Sequence, residues 1–378
     1  MNPISKLLAL GRRAYGTHST HSTHSTQAAE HIERALSAAG LGQTGSGRGI
    51  RETIDRALSA AGLRPADGMS APAPAAAGRP DSTAPMRAAT VESVPARGQF
   101  LHATYGNAYS RRDYRLYLPV GYDPDGAPRP LILMLHGCTQ SAEDFAAGTR
   151  MNALADREGF LVAYPQQIGK ANHAKCWNWF RPEDQRGDAG EPSILAGIAS
   201  QIAQGHRVDT RRIFVAGLSA GAAMAVILGH TRPDLVRAIG VHSGLPYASA
   251  HDVASAFTAM QGRADTSASA SASGASPVPM IVFHGDADRT VAPANADALA
   301  AGALRPGLRI SVETGRAAGG QAYTRQVATD TTGIRAFERW TVHGAGHAWS
   351  GGDPTGSYTD PAGPDASTAM VAFFLQQA

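Results

Sequence analysis

The amino-acid sequence predicts an α/β fold: a mostly parallel sheet with helices on both faces. Three observations predict it. From Gln99 onward, strand-like apolar runs alternate with segments of helical periodicity. One run, Pro130-Leu-Ile-Leu-Met-Leu-His136, is almost wholly apolar, as a strand covered on both faces must be. Another, Ile213–Ala216, leads into Gly217-Leu218-Ser219-Ala220-Gly221 and then an Ala-rich stretch. That is a strand, a tight turn and a helix with serine at the apex.

In chain order, Tyr114–Pro119 reads as an early strand and Pro130–His136 as a central one. A helical segment covers Ala142–Glu158, Phe160–Tyr164 is the next strand, and Pro192–Gln204 is again helical. The strand Ile213–Ala216 and its helix follow, then strand Ala238–His242. Val278–Phe283 and Ile334–Val342 are the last strands, and Asp365–Gln377 closes the chain as an amphipathic helix. Between them, Thr266–Ser276 is nearly all Ser, Ala and Gly and is expected to be a surface loop.

Residues 1–95 read as an extension distinct from a folded domain of residues 96–378. Thr17-His-Ser repeats three times up to Thr26, a solvated low-complexity tract. Ile32-Glu-Arg-Ala-Leu-Ser-Ala-Ala-Gly-Leu41 then recurs with one change as Ile54-Asp-Arg-Ala-Leu-Ser-Ala-Ala-Gly-Leu63. In each copy the apolar residues share one helical face, and Gly40 or Gly62 stands where the helix would stop. Two copies are too few for a solenoid. They predict short amphipathic helices in a flexible extension, with the Ala- and Pro-rich residues 64–95 as linker.

Composition excludes several classes. A chain of 378 residues with 43% hydrophobic and 17% charged content can bury a large core. A net charge of +3 without a basic, aromatic-interleaved cluster argues against nucleic acid as partner. No apolar run has the length of a transmembrane segment. Leu7–Leu10 is too short for a secretory core, and no apolar stretch follows Arg12-Arg13, so no export signal is expected. Two cysteines allow one bridge but no disulfide-rich scaffold. His284, His343 and His347 lack the paired spacing of a zinc motif, so neither metal nor other cofactor is expected.

A serine hydroxyl attacks only once a neighbouring base takes its proton. On a strand–turn–helix nucleophile the partners follow as acid, then histidine. Strand Met280–Phe283 runs into His284-Gly-Asp-Ala-Asp288, where Asp286 and Asp288 both qualify as the acid. The last strand runs into Val342-His-Gly-Ala-Gly-His-Ala-Trp349, where His347 and His343 compete as the base. Acyl transfer also needs donors for the oxyanion. The turn His136-Gly-Cys-Thr-Gln140 offers the Cys138 backbone N–H, and Ala220 N–H follows the nucleophile directly. His136 is expected to bury its ring and organise that turn.

Assembled in this order, the residues resemble the esterase family of polyhydroxybutyrate depolymerases and related feruloyl and acetylxylan esterases. The resemblance spans roughly residues 100–378. It rests on His136-Gly-Cys-Thr-Gln140, Tyr164-Pro-Gln-Gln167, Cys176-Trp-Asn-Trp-Phe180, Gly217-Leu-Ser-Ala-Gly-Ala-Ala-Met224, His242-Ser-Gly-Leu-Pro246, His284 with Asp288 and Val291, and Gly346-His with Trp349. It implies an α/β-hydrolase fold and a serine esterase with Ser219, Asp288 and His347 as its triad. Cys138 and Ala220 are the implied oxyanion donors. The implied substrate is short-chain polyhydroxyalkanoate or its oligomers, with feruloyl or acetylxylan esters as the alternative. A granule-binding protein with an inactive hydrolase domain is the reading from a different class. Trp177, Trp179 and Trp349 are candidates for an apolar substrate wall, and Cys138–Cys176 for a disulfide joining the oxyanion turn to the Trp segment. The family is largely secreted, which implies an extracellular location; with no clear export signal, a cytoplasmic, granule-associated location is the alternative. Residues 1–95 are then candidates for attachment to a polyester granule.

Overall fold

The computed structural model describes residues 98–264 and 278–377. The N-terminal repeats, the linker and the Ser/Ala/Gly insertion fall outside these residues. A ten-stranded sheet runs in the order β1-β2-β4-β3-β5-β6-β7-β10-β9-β8. Its strands are β1 (Gln99–Gly106), β2 (Arg111–Leu118), β3 (Arg129–Leu135), β4 (Leu161–Pro165), β5 (Val208–Leu218), β6 (Ala238–His242), β7 (Met280–Gly285), β8 (Arg309–Arg316), β9 (Ala322–Thr329) and β10 (Arg335–Val342). The six strands from β4 through β10 in that order are mutually parallel; the β1-β2 and β9-β8 hairpins extend the two ends antiparallel.

Side-chain alternation along the central strands divides the core into two layers. Leu131, Leu133 and Leu135 of β3 face one layer with α3 (Gly190–Gly205), α4 (Ala220–Thr231), α5 (Val253–Met260) and α6 (Ala294–Ala303). Ile132 and Met134 face the other, with α1 (Ala142–Thr149), α2 (Met151–Glu158) and α7 (Ala366–Phe374). Every β3 residue from Pro130 to Leu135 is therefore buried, which is why the run carries no alternation of its own.

Expected strands and helices are present, with shifted ends. The segment read as one helix from Ala142 to Glu158 is two, because Arg150 takes a left-handed conformation (φ 52°) and caps α1 through its N–H to Ala147 O. The terminal helix ends at Phe374 and continues as one 3₁₀ turn. Strands β8 and β9 were not expected: β8 alternates polar and apolar residues (Arg-Ile-Ser-Val-Glu-Thr) along an exposed edge, and β9 is only half-buried, so neither reads as a buried strand. A small parallel pair, β11 (Trp349–Ser350) with β12 (Thr359–Asp360), was also missed.

Candidate active site

Parallel pairing brings four loops to one edge of the sheet. Leu218 lies beside His242, His242 beside Phe283, and His284 beside Thr341. The residues just after β5, β7 and β10 therefore share the carboxyl edge, where ligands of open α/β sheets bind. Ser219, Asp288 and His347 all occupy those loops.

Ser219 adopts φ 57°, ψ −120°, a conformation non-glycine residues rarely take. Two contacts hold it there: its N–H donates to His242 O at 2.9 Å, and its carbonyl accepts Ala223 N–H at 2.9 Å. The flanking glycines serve close packing. A Cβ on Gly221 would lie 2.1 Å from Leu135 O and 2.6 Å from His136 O, and one on Gly217 would lie 2.5 Å from the Gly221 carbonyl carbon. Helix α4 thus starts directly against the end of β3, which brings the Ser219 and Cys138 turns together. As the first residue of α4, Ala220 has no intrahelical acceptor for its N–H.

Asp288 is buried and accepts Thr290 N–H and Val291 N–H on Oδ1, both at 2.9 Å. Its Oδ2 accepts His347 Nδ1–H at 2.7 Å. Burial alone would raise this carboxyl, but the His347 bond and charge and the Val291 amide outweigh it and hold it below the ordinary carboxylate value. The bond to Asp288 through Nδ1 fixes the orientation of the His347 imidazole.

The rivals left open by the residue pattern form a pair of their own. His343 Nδ1 donates to Asp286 Oδ2 at 2.8 Å, Asp286 Oδ1 accepts Gly344 N–H, and His343 Nε2 meets Thr324 Oγ1 at 2.9 Å. Both side chains are 42% exposed, against 12% for His347 and 0% for Asp288. Backbone bonds from Asp286 to Val342 and from Ala287 to Ala345 lace the two loops. The outer pair braces the loops that carry the inner one.

The turn Gly137–Gln140, which carries the candidate oxyanion donor Cys138, is tied down from three sides. Gly137 N–H donates to Gln140 Oε1 at 2.8 Å, and Thr139 N–H donates to Ala174 O at 2.6 Å. A disulfide joins Cys138 to Cys176, with Cα atoms 4.2 Å apart. Buried His136 holds its ring between Gly137 O and Gln167 N–H, as the sequence reading expects, and burial pushes it down to about 4. Behind it, buried Arg112 and Glu191 pair at 3.2 Å, and Glu191 also accepts both the N–H and the side chain of Asn178. This network fixes the Cys176 segment and was invisible to motif reading, because its members lie far apart in sequence.

The Esterase PHB depolymerase family matches residues 112–327. The chain belongs to that family. It is 34% identical over 236 residues to Poly(3-hydroxyalkanoate) depolymerase C of Paucimonas lemoignei, covering 59% of this chain and 56% of that protein. It is 30% identical over 261 residues to Poly(3-hydroxybutyrate) depolymerase of Ralstonia pickettii, covering 63% and 51%. Feruloyl esterase B of Neurospora crassa is 34% identical over 139 residues, covering 36% of this chain and 46% of that one. The match thus spans about half the length of the two depolymerases. An acetyl xylan esterase from Aspergillus awamori shares the fold, with TM-score 0.57 and 17% identity over 74% of this chain and 100% of that one. The α/β-hydrolase fold follows.

One expectation is corrected. Trp177, Trp179 and Trp349 are 0%, 6% and 1% exposed, so none offers a face to a substrate. Trp177 Nε1 donates to His136 O, bracing the oxyanion turn. Trp349 donates to Ser367 Oγ and stacks on His242 at 5.1 Å. Trp179 packs edge-on against Phe180. An indole buries more apolar area than any other side chain, and the interior claims it. The exposed aromatic beside Cys138 is instead Tyr358, 39% exposed, with its hydroxyl 3.3 Å from Thr139 Oγ1. The His242 carbonyl accepts Ser219 N–H and its Nε2 accepts Ser350 N–H at 2.9 Å, so this residue, which sequence motifs alone do not single out, clamps the Ser219 loop to the His347 loop.

Proposed function

We propose that the chain is a serine carboxyl-ester hydrolase acting on short-chain polyhydroxyalkanoate or its oligomers. The observation that carries this is the buried 2.7 Å bond from His347 to Asp288, on the same sheet edge as a serine held at φ 57°. In this reading His347 Nε2 takes the Ser219 proton as Oγ attacks the ester carbonyl. Cys138 and Ala220 N–H groups hold the oxyanion. The imidazolium, stabilised by Asp288, returns its proton to the leaving alcohol. Water then attacks the acyl-serine with His347 again as base, releasing the acid. Nothing in these steps calls for a metal.

The polyester half of the proposal is supported by the two depolymerase relatives. An extracellular location is supported by the Cys138–Cys176 disulfide, since cytosolic thiols are kept reduced. Attachment of residues 1–95 to a polyester granule is supported by the paired apolar faces of the repeats.

The deciding experiment is a substrate panel of polyhydroxybutyrate, hydroxybutyrate oligomers, methyl ferulate and acetylated xylan, run beside fluorophosphonate labelling. We expect turnover to be fastest on hydroxybutyrate esters and the label to sit on Ser219. Faster turnover of methyl ferulate would move the substrate to the feruloyl class. A chain that neither turns over any ester nor takes the label is an inactive binding protein.

A further inference from the structure

Among the described residues, strand β8 closes one end of the sheet with no strand beyond it: seven of its eight residues are exposed, and the eighth is half-buried. Ile310 and Val312 stand 53% and 62% exposed there. Exposed edge strands of this kind pair with other strands unless charge or shape prevents it.

The backbone alternation of β8 is fixed by its hairpin. Ala317 N–H donates to Gln321 O, so 317 and 321 form a hydrogen-bonded pair. Counting back along the ladder, Arg309, Ser311, Glu313 and Gly315 turn their backbone groups toward β9. The weak contact from Thr329 Oγ1 to Arg309 O agrees. Ile310, Val312 and Thr314 therefore point their N–H and C=O groups to the open edge.

We infer that this edge is a homodimer interface, in which β8 pairs antiparallel with β8 of a second copy about a two-fold axis at Ser311. That register sets Ile310 opposite Val312 of the partner subunit, and the reverse, with all four backbones in hydrogen-bonding phase. It also sets Arg309 opposite Glu313 of the partner subunit on the other face, twice. Cross-strand apolar and opposite-charge pairs are those that stabilise sheets. Neighbouring registers lose the match: centring on Glu313 opposes like charges, and centring on Val312 sets Ile310 against Thr314. The two ten-stranded sheets join into one. Because the paired strands run oppositely, the two catalytic edges open at opposite ends of the assembly. The inference is independent of the esterase proposal.

The test is the full-length chain in a sedimentation-velocity dilution series, with cysteine scanning of β8. We expect the mass to rise with concentration from 39.2 kDa toward twice that value. Ser311 pairs with itself at a non-hydrogen-bonded site, where Cα atoms approach to about 4.5 Å, within disulfide reach. Ser311→Cys should therefore give a dimer on non-reducing gels. Thr314→Cys should not, since six residue steps separate the two copies by about 20 Å. Val312→Lys should shift the series to monomer while leaving ester hydrolysis per chain unchanged. A chain that stays at monomer mass throughout, or that cross-links through Thr314→Cys and not through Ser311→Cys, overturns the interface.

Discussion

Two histidines show what burial does to a single residue at this site. Burial pushes His136 down to about 4; burial, with the charges of His284 and His347, pushes His242 down to about 3. Both are neutral when folded and take up a proton near 6.5 when unfolded. Stability is therefore lost as pH falls from about 6.5 toward those folded values, by about 1.4 kcal/mol per pH unit for each. Asp184, pushed up to about 7 by burial and the Glu191 charge, keeps its proton in the fold and offsets one of them over the same range. His242→Gln keeps an acceptor for Ser350 N–H but does not titrate there. Its denaturation free energy should fall by about 1.4 kcal/mol less per pH unit than the wild type's between pH 6 and 4. Parallel slopes would remove His242 from this account. Ser219→Ala should lower kcat by at least about 10⁴-fold while leaving the melting temperature near wild type. Tyr358→Ala is expected to raise KM on polyester severalfold with kcat little changed, because its exposed ring flanks the oxyanion turn without joining the chemistry.

At the scale of elements, the decisive contact is α4 against the end of β3. Gly221→Ala would drive a methyl into two backbone carbonyls that cannot rotate away. Overpacking of this kind costs about 1–3 kcal/mol, and the backbone contact puts this case at the upper end. Urea denaturation should show the loss, with a parallel fall in kcat as Ser219 shifts relative to Cys138. The Cys138–Cys176 bridge closes a loop of sequence separation 38. Chain entropy assigns such a loop about 4 kcal/mol. The Arg112–Glu191–Asn178 network holds the same segment, so Cys176→Ser should remain folded, less stable by about 2–4 kcal/mol, and reduced in kcat more than in KM. An unchanged kcat would show that the network alone positions the oxyanion donor.

For the whole molecule, the two ends of the sheet differ. The edge strand β1 keeps Ala103 and Tyr105 half-buried against the core, whereas β8 is exposed along nearly its whole length. An unpaired end of this kind is where assembly is expected. The extension makes a separate demand. Deleting residues 1–95 should abolish sedimentation with polyester granules while leaving hydrolysis of a soluble p-nitrophenyl ester intact. Equal granule binding by the shortened chain would exclude the extension as the anchor.

Local pattern was enough to predict the α/β alternation, the strand–turn–helix around Ser219, and the loops that carry the candidate acid, base and oxyanion donors. Each depends on a contiguous run: an apolar strand, a glycine-flanked apex, a carboxylate or histidine just past a strand end. Tertiary structure decided what depends on residues distant in the chain. It paired His347 with Asp288 and His343 with Asp286, a choice that adjacent loop residues left open without a family resemblance. It buried all three tryptophans and exposed Tyr358, because exposure depends on what the rest of the chain packs against a side chain. It also added the β8-β9 hairpin, which satisfies backbone hydrogen bonding with an exposed and a half-buried strand, and so leaves no apolar run to read.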